Sequence, residues 1–391
     1  MKTCIIHVGM HKTGTKSIQK SLFDFEDASF YYARMGGRSN HSRLVYNLFS
    51  EKPIARKRWS SLTADEMDHK STITKSELLE SIRSAGGRKL IISGESIGVL
   101  SKAGLESLRD WLKPHFDDIR VIAYVRPPMG YMSSAFQQKA RDGDISSLET
   151  GGMYRSYRKS FEKFDEVFGN SSVTLRLFDR DALVKGDVVA DFCAMIGLDL
   201  PPERVVKANE SWPRDGICLR VQYNRYCRDN GITPVRGKIG PVLGAIDTLG
   251  TEKFRLSPLL LGPIVKANQQ DIDWINTRMG VNFGADESAP GPRDIASWED
   301  ILATVPNARE ILLNLFDEFH IEHPKEDVPD GGLIHMLSMA IGGKAGRRSE
   351  HAQARKRGAV AGDVGNRSLR RPRRLRAEAR RRRRAKSSDT K

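Results

Sequence analysis

The chain is short of cysteine, of aromatic residues and of long apolar runs, and each shortage narrows what it can be. Four cysteines in 391 residues, Cys4, Cys193, Cys218 and Cys227, show neither disulfide nor zinc spacing. That excludes a disulfide-stapled scaffold and fits a reducing compartment. No apolar run reaches the roughly 20 residues needed to cross a bilayer. Met1-Lys2 opens directly into a strand-like segment, so neither a signal peptide nor an amino-terminal anchor is expected, and the expected location is the cytoplasm. No repeat is visible, and no clear metal-ligand cluster, so no metal is expected.

Charge of one sign is confined to one place. The chain has 64 Lys or Arg against 49 Asp or Glu, of which 19 and 4 lie in residues 344–391. The surplus of 15 therefore belongs to that tail, and the remainder balances at 45 of each sign. The tail has no aromatic residue and centres on Arg370-Arg371-Pro372-Arg373-Arg374 and the arginines from Arg380 to Arg384. It cannot bury a core and is expected to be disordered. It could hold anionic polysaccharide, nucleic acid or acidic lipid at the inner membrane face by counterion release. A solvated extension without a partner is the alternative, and the missing aromatics argue against base stacking.

What is present begins at the amino terminus. Ile5, Ile6 and Val8 form an apolar run that breaks at Gly9-Met10-His11-Lys12-Thr13-Gly14-Thr15-Lys16-Ser17 and resumes with helical spacing at Ile18 and Leu22. Strand, glycine loop and helix start together make a phosphate cradle, where free backbone N–H groups and the helix dipole meet an anion. The spacing from Gly9 to Gly14 fits the nucleoside triphosphate loop. Thr15, however, stands where that loop requires lysine, and Lys16 comes one position late. The order Lys12-Thr13-Gly14-Thr15 instead resembles the 5′-phosphosulfate loop of sulfotransferases that use 3′-phosphoadenosine-5′-phosphosulfate (PAPS). A second motif agrees. Residues 119–125 read as a buried parallel strand that runs into Arg126-Pro127-Pro128, with Ser134 eight residues after Arg126. In the family this arginine and serine contact the 3′-phosphate of the donor, and a guanidinium fork suits that task.

Further strands are expected at 88–95, which ends on Ser93-Gly94-Glu95, and at 172–178. A helix is expected around Tyr157 to Phe168, and Thr74-Lys75-Ser76-Glu77 reads as a capping box before Leu78. Alternation of strand and helix predicts an α/β fold, a P-loop-like three-layer sandwich around a central parallel sheet, with ligands beyond the carboxyl ends of the strands. One domain is expected over 1–320, its helical acceptor-side region at about 212–320, with a linker at 321–343 and the tail at 344–391. Helical patterns run from Gly216 to Asp229, Pro263 to Met279 and Glu299 to Phe319, whereas Gly231 to Gly250 reads as loop.

The resemblance implies a bacterial carbohydrate-type sulfotransferase that moves a sulfuryl group from PAPS to a sugar hydroxyl of a surface glycan or glycolipid. Lys12 would stabilise the leaving 5′-phosphate, supported by Lys16, while Thr13, Gly14, Thr15 and Ser17 supply backbone and hydroxyl donors. A general base must take the acceptor's proton. Glu95 is the first candidate, since some related carbohydrate enzymes use a glutamate there, and His41 the second. A helix-start carboxylate and a surface-loop histidine are the structural alternatives for these two. The chain departs from the family at three points: Lys16 replaces threonine or arginine, Ile18 stands where some relatives carry tryptophan, and the late Arg-Lys-Gly element is absent, Arg236-Gly237-Lys238 being a rearranged echo. Lys207-Ala208-Asn209-Glu210-Ser211 resembles an element of many bacterial relatives. An ATP-dependent small-molecule kinase and a non-catalytic polyanion-binding adaptor remain as alternatives.

Overall fold

The strands β1 (Thr3–Gly9), β2 (Phe30–Tyr32), β3 (Lys89–Ser93), β4 (Asp118–Val125) and β5 (Val173–Leu177) pair side by side in the order β2-β3-β1-β4-β5, every pairing parallel. The computed structural model describes residues 1–10, 12–51, 63–145, 147–148, 151–207, 212–234, 240–283, 290–303 and 305–341. The basic tail, His11, residues 208–211 and the Arg236-Gly237-Lys238 echo lie outside them. The helices are α1 (Thr15–Ser21), α2 (Ser42–Phe49), α3 (Ala64–Ala85), α4 (Lys102–Leu112), α5 (Pro128–Asp142), α6 (Tyr157–Phe168), α7 (Val188–Ile196), α8 (Arg214–Asp229), α9 (Gly240–Ile246), α10 (Pro258–Ala267), α11 (Gln269–Met279), α12 (Trp298–Leu302), α13 (Ala308–Glu318) and a last helix, α14, over 330–341.

The apolar residues of the strands dictate the layers. On one face Ile5, Ile91, Ile122 and Tyr124 pack with Ile18 and Leu22 of α1 and with Val189, Phe192 and Ile196 of α7. On the other, α6 lies over β4 and against α4. A parallel sheet covered on both faces is what near-continuous β-branched strands require, and the expected α/β architecture is observed. β1 lies between β3 and β4, in register from Cys4 opposite Leu90 and Ile119 to His7 opposite Ser93 and Ile122. Their carboxyl ends therefore bring Gly9, Glu95 and Arg126 to one rim of the sheet.

Several expectations are corrected. By its contacts the chain forms two compact units, one comprising 1–238 and 245–306, the other 239–244 and 307 onward. The segment expected as linker holds α14, whose Leu333, Ile334 and Leu337 are buried at helical spacing. Helix α9 occupies part of the stretch read as loop. The capping box lies at Thr63 and Glu66, and Thr74 sits inside α3 with its hydroxyl donating to the Lys70 carbonyl. Among the described residues no helix is long and apolar enough to cross a membrane, and the four cysteines are buried and free.

Candidate active site

The loop after β1 is built by its own side chains. Thr13 is fully buried and its Oγ1 donates to the Met10 carbonyl at 2.6 Å, so its hydroxyl braces the loop instead of facing a ligand as expected. Lys12 (φ 72°) and Gly14 (φ 70°) both adopt left-handed backbone. For Lys12 that costs about 1–2 kcal/mol, a strain tolerated where a side chain must be aimed. The Ser17 N–H turns back on the Gly14 carbonyl at 2.8 Å, starting α1. Gly9 is required by close approach: a Cβ there would stand 2.1 Å from Thr15 Oγ1 and 2.8 Å from Glu95 Cγ. Thr15 Oγ1 is itself buried without a hydrogen-bond partner among the described residues, an orphan that native interiors seldom leave unexplained. Ser17 is buried and Lys16 is exposed on α1.

Arg126 meets this loop directly. Pro127-Pro128 stops β4 and starts α5, with Pro128 at the first helical position, where its missing N–H is harmless. The Arg126 Nη1 donates to the Lys12 carbonyl at 3.0 Å, and the Tyr157 hydroxyl donates to the Arg126 carbonyl at 2.7 Å. Burial lowers the guanidinium's pKa. Among the described residues no carboxylate lies within ion-pair distance of it. The side chain rests on Gly130, where a Cβ would stand 3.2 Å from Nε. Ser134 is half-buried one turn farther along the same face of α5, whereas its neighbour Ser133 is turned inward and accepts from the Leu256 N–H.

The Lys12 ammonium extends along that helix and donates to Gln138 Oε1 at 2.8 Å. It lies 5.7 Å from the centroid of the Trp212 ring, against which the Arg141 guanidinium stacks at 3.6 Å. Burial, followed by repulsion from Lys16 and Arg141, pushes its pKa down to about 8 against the opposing pull of Glu95 and Asp142. Arg141 is anchored by Asp247, 3.3 Å away, which also holds the fully buried Arg220 at 2.9 Å. Sequence reasoning missed Trp212 and Arg141. Both lie far from the two motifs, and the sole cue for Trp212 was its position directly after the Asn-x-Ser element.

Glu95 opens a 3₁₀ turn, Glu95–Val99, and is half-buried against Gly9. His41 is elsewhere in kind. It is neither a surface residue nor open to an acceptor. It is fully buried at the start of α2, its Nδ1 accepts from the Ser93 N–H at 3.2 Å, and burial pushes its pKa down to about 4. His41 is thus a buried residue rather than the surface-loop histidine of the structural alternative. The structure thus brings Lys12, Arg126, Ser134 and Glu95 to one rim and keeps His41 beneath it. Among the described residues no group of three or more His, Cys, Asp or Glu could hold a metal ion.

These features define an α/β protein of P-loop-like architecture with a cationic rim. No family model matches the chain. An uncharacterized protein of Archaeoglobus fulgidus is 23% identical over 119 residues, 30% of this chain and 33% of that protein, so the match spans about a third of that relative's length. Among solved structures, a sulfotransferase from Alicyclobacillus acidocaldarius is similar over 59% of this chain and 96% of its own, with 16% identity and a TM-score of 0.35.

Proposed function

We propose that this chain is a PAPS-dependent sulfotransferase acting on a hydroxyl, most readily a sugar hydroxyl of a surface glycan or glycolipid. One observation carries the reading. Arg126 and Lys12 are two half-buried cations, the guanidinium bonded to the Lys12 backbone carbonyl at 3.0 Å, with no carboxylate paired to either among the described residues. Burying charge without compensation is expensive, and a bisphosphorylated nucleotide supplies the compensation. The orphaned Thr15 hydroxyl is a further donor such a ligand would satisfy.

On this reading the acceptor oxygen attacks sulfur in line as the bond from sulfur to the 5′-phosphate oxygen breaks. Glu95 takes the hydroxyl proton, and the electron pair leaves on the phosphate. Lys12 stabilises the charge developing there, as positioned cations do in phosphoryl transfer. Arg126 and Ser134 hold the 3′-phosphate and so fix the donor's register. Gly14, Thr15 and Lys16 present backbone N–H groups to the 5′-phosphate, because the start of a helix leaves them without internal partners.

The test is calorimetric titration with 3′,5′-adenosine bisphosphate without magnesium, followed by incubation with labelled PAPS and cell-envelope extracts. Binding and labelled glycan or lipid support the reading. Preference for Mg·ATP turns it toward a small-molecule kinase. Removing residues 344–391 should leave transfer intact, and loss of every measurable function with the tail turns it toward a polyanion adaptor.

A further inference from the structure

Helix α6 touches the rim at two places. At its start the Tyr157 hydroxyl bonds the Arg126 carbonyl at 2.7 Å. Six residues on, or about 9 Å along the axis, the Lys163 ammonium donates to the carbonyls of Gly98 at 2.8 Å and Leu100 at 2.6 Å. Those carbonyls close the 3₁₀ turn that Glu95 opens. The turn has little slack: the Gly94 N–H bonds the His7 carbonyl at 3.0 Å, and a Cβ at Gly98 would stand 3.2 Å from Val8 Cγ1. The strut itself is anchored, because the Asp271 carboxylate accepts from Tyr154 Oη, Ser156 Oγ and the N–H groups of Tyr157 and Arg158 at 2.7–2.9 Å.

Lys163 is an odd choice for stability. It is half-buried, no carboxylate lies within ion-pair distance of it among the described residues, and burial with Arg155 and Lys159 nearby pushes its pKa down to about 8. A methionine would fill the same space without desolvating a charge. What the ammonium supplies is geometry: one group bonded to two carbonyls fixes the end of a turn that would otherwise have unsatisfied acceptors.

We infer that Lys163 is a positioning residue, holding the Glu95 turn at a set distance from Arg126 so that the acceptor oxygen and the donor meet in line; this rests on the reading of Glu95 as the base. The consequence is a split in kinetics, since donor binding depends on the Arg126 end and transfer on both ends.

The experiment compares wild type with Lys163→Met and Lys163→Gln. It measures the rate of labelled sulfate transfer from PAPS to a cell-envelope glycan extract, the KM for PAPS, and amide hydrogen exchange across 95–100 and 126–131. The expected result is at least a tenfold lower rate at saturating PAPS for the methionine variant and a smaller loss for glutamine. KM should stay within twofold, and exchange should quicken at 95–100 alone. An unchanged rate in either folded variant, or rate and KM moving together, overturns the inference. If Lys163→Met does not fold, Lys163→Gln decides by the same criteria with at least a threefold loss. If wild type neither transfers sulfate nor binds the nucleotide, the sulfotransferase reading fails. The exchange data then decide the Lys163 clamp separately, and unaltered exchange at 95–100 overturns it.

Discussion

Replacing Lys12 separates what the loop needs from what the chemistry needs. In Lys12→Ala the bond to Gln138 is lost, worth about 1.5–3 kcal/mol for a hydrogen bond from a charged donor. The same change relieves the desolvation of a half-buried cation that has no carboxylate partner among the described residues, so the two effects oppose and the unfolding midpoint should stay within a few degrees. Lys12→Gly goes further, because φ of 72° is natural for glycine. Relief of about 1–2 kcal/mol of left-handed strain outweighs the roughly 0.5–1 kcal/mol of extra chain entropy, so this variant should be as stable as wild type or slightly more so. Both should lose sulfate transfer by about 10²-fold or more, the scale of removing one transition-state donor, about 2.7–4 kcal/mol. Denaturant unfolding and labelled PAPS turnover on the same preparations decide. If either variant transfers sulfate at the wild-type rate, or Lys12→Gly is destabilised by several kcal/mol, the placement of Lys12 is wrong.

Other consequences are open to measurement. His7 and His41 are buried with pKa values pushed down to about 4 by desolvation. The unfolded chain takes up these protons near pH 6.5 and the folded chain does not, so stability falls as pH drops from 6.5 toward 4. The expected loss by pH 5 is about 2 kcal/mol per histidine, and flat urea-unfolding energies between pH 7 and 5 would refute it. Lys12 loses its proton near pH 8, so affinity for 3′,5′-adenosine bisphosphate should weaken above that pH in wild type and show no such step in Lys12→Ala. Asp247→Asn removes the carboxylate 2.9 Å from the fully buried Arg220 and should cost up to about 3–5 kcal/mol in denaturant titrations; a loss under 1 kcal/mol counts against the pair. Trp212→Leu removes the surface on which Arg141 stacks, and for a contact worth about 0.5–1 kcal/mol the Kd of the bisphosphate should rise a few-fold, while an unchanged Kd means the ring lies outside the binding surface.

The parts legible in the sequence were those where local pattern and tertiary demand coincide. β1, β3, β4 and β5 are runs rich in β-branched and apolar residues, β1 and β3 ending on Gly9 and Ser93 and β4 running into Arg126, and each was placed to within a residue or two. β2 was missed because three residues, Phe30–Tyr32, carry no period. Pro263 was read near a helix start, yet it lies inside α10, which Ser257 caps, and the helix expected from Pro263 to Met279 breaks at Asn268. Likewise Asn307 at φ 56° divides the pattern from Glu299 to Phe319 into α12 and α13. The nearness of Arg126 to the first loop was foreseeable from parallel strand order. The burial of His41 and the arrival of Trp212 were not, since both depend on contacts made across more than fifty residues.

The bond from the Thr13 hydroxyl to the Met10 carbonyl, with Arg126 bracing the Lys12 carbonyl, means the loop is held in shape by its own contacts before anything enters it. A guest then surrenders its own freedom but demands little ordering of its host. On the proposed reading such a seat would grip the spent nucleotide about as firmly as the loaded one, and departure of the nucleotide, rather than bond exchange at sulfur, would pace the cycle.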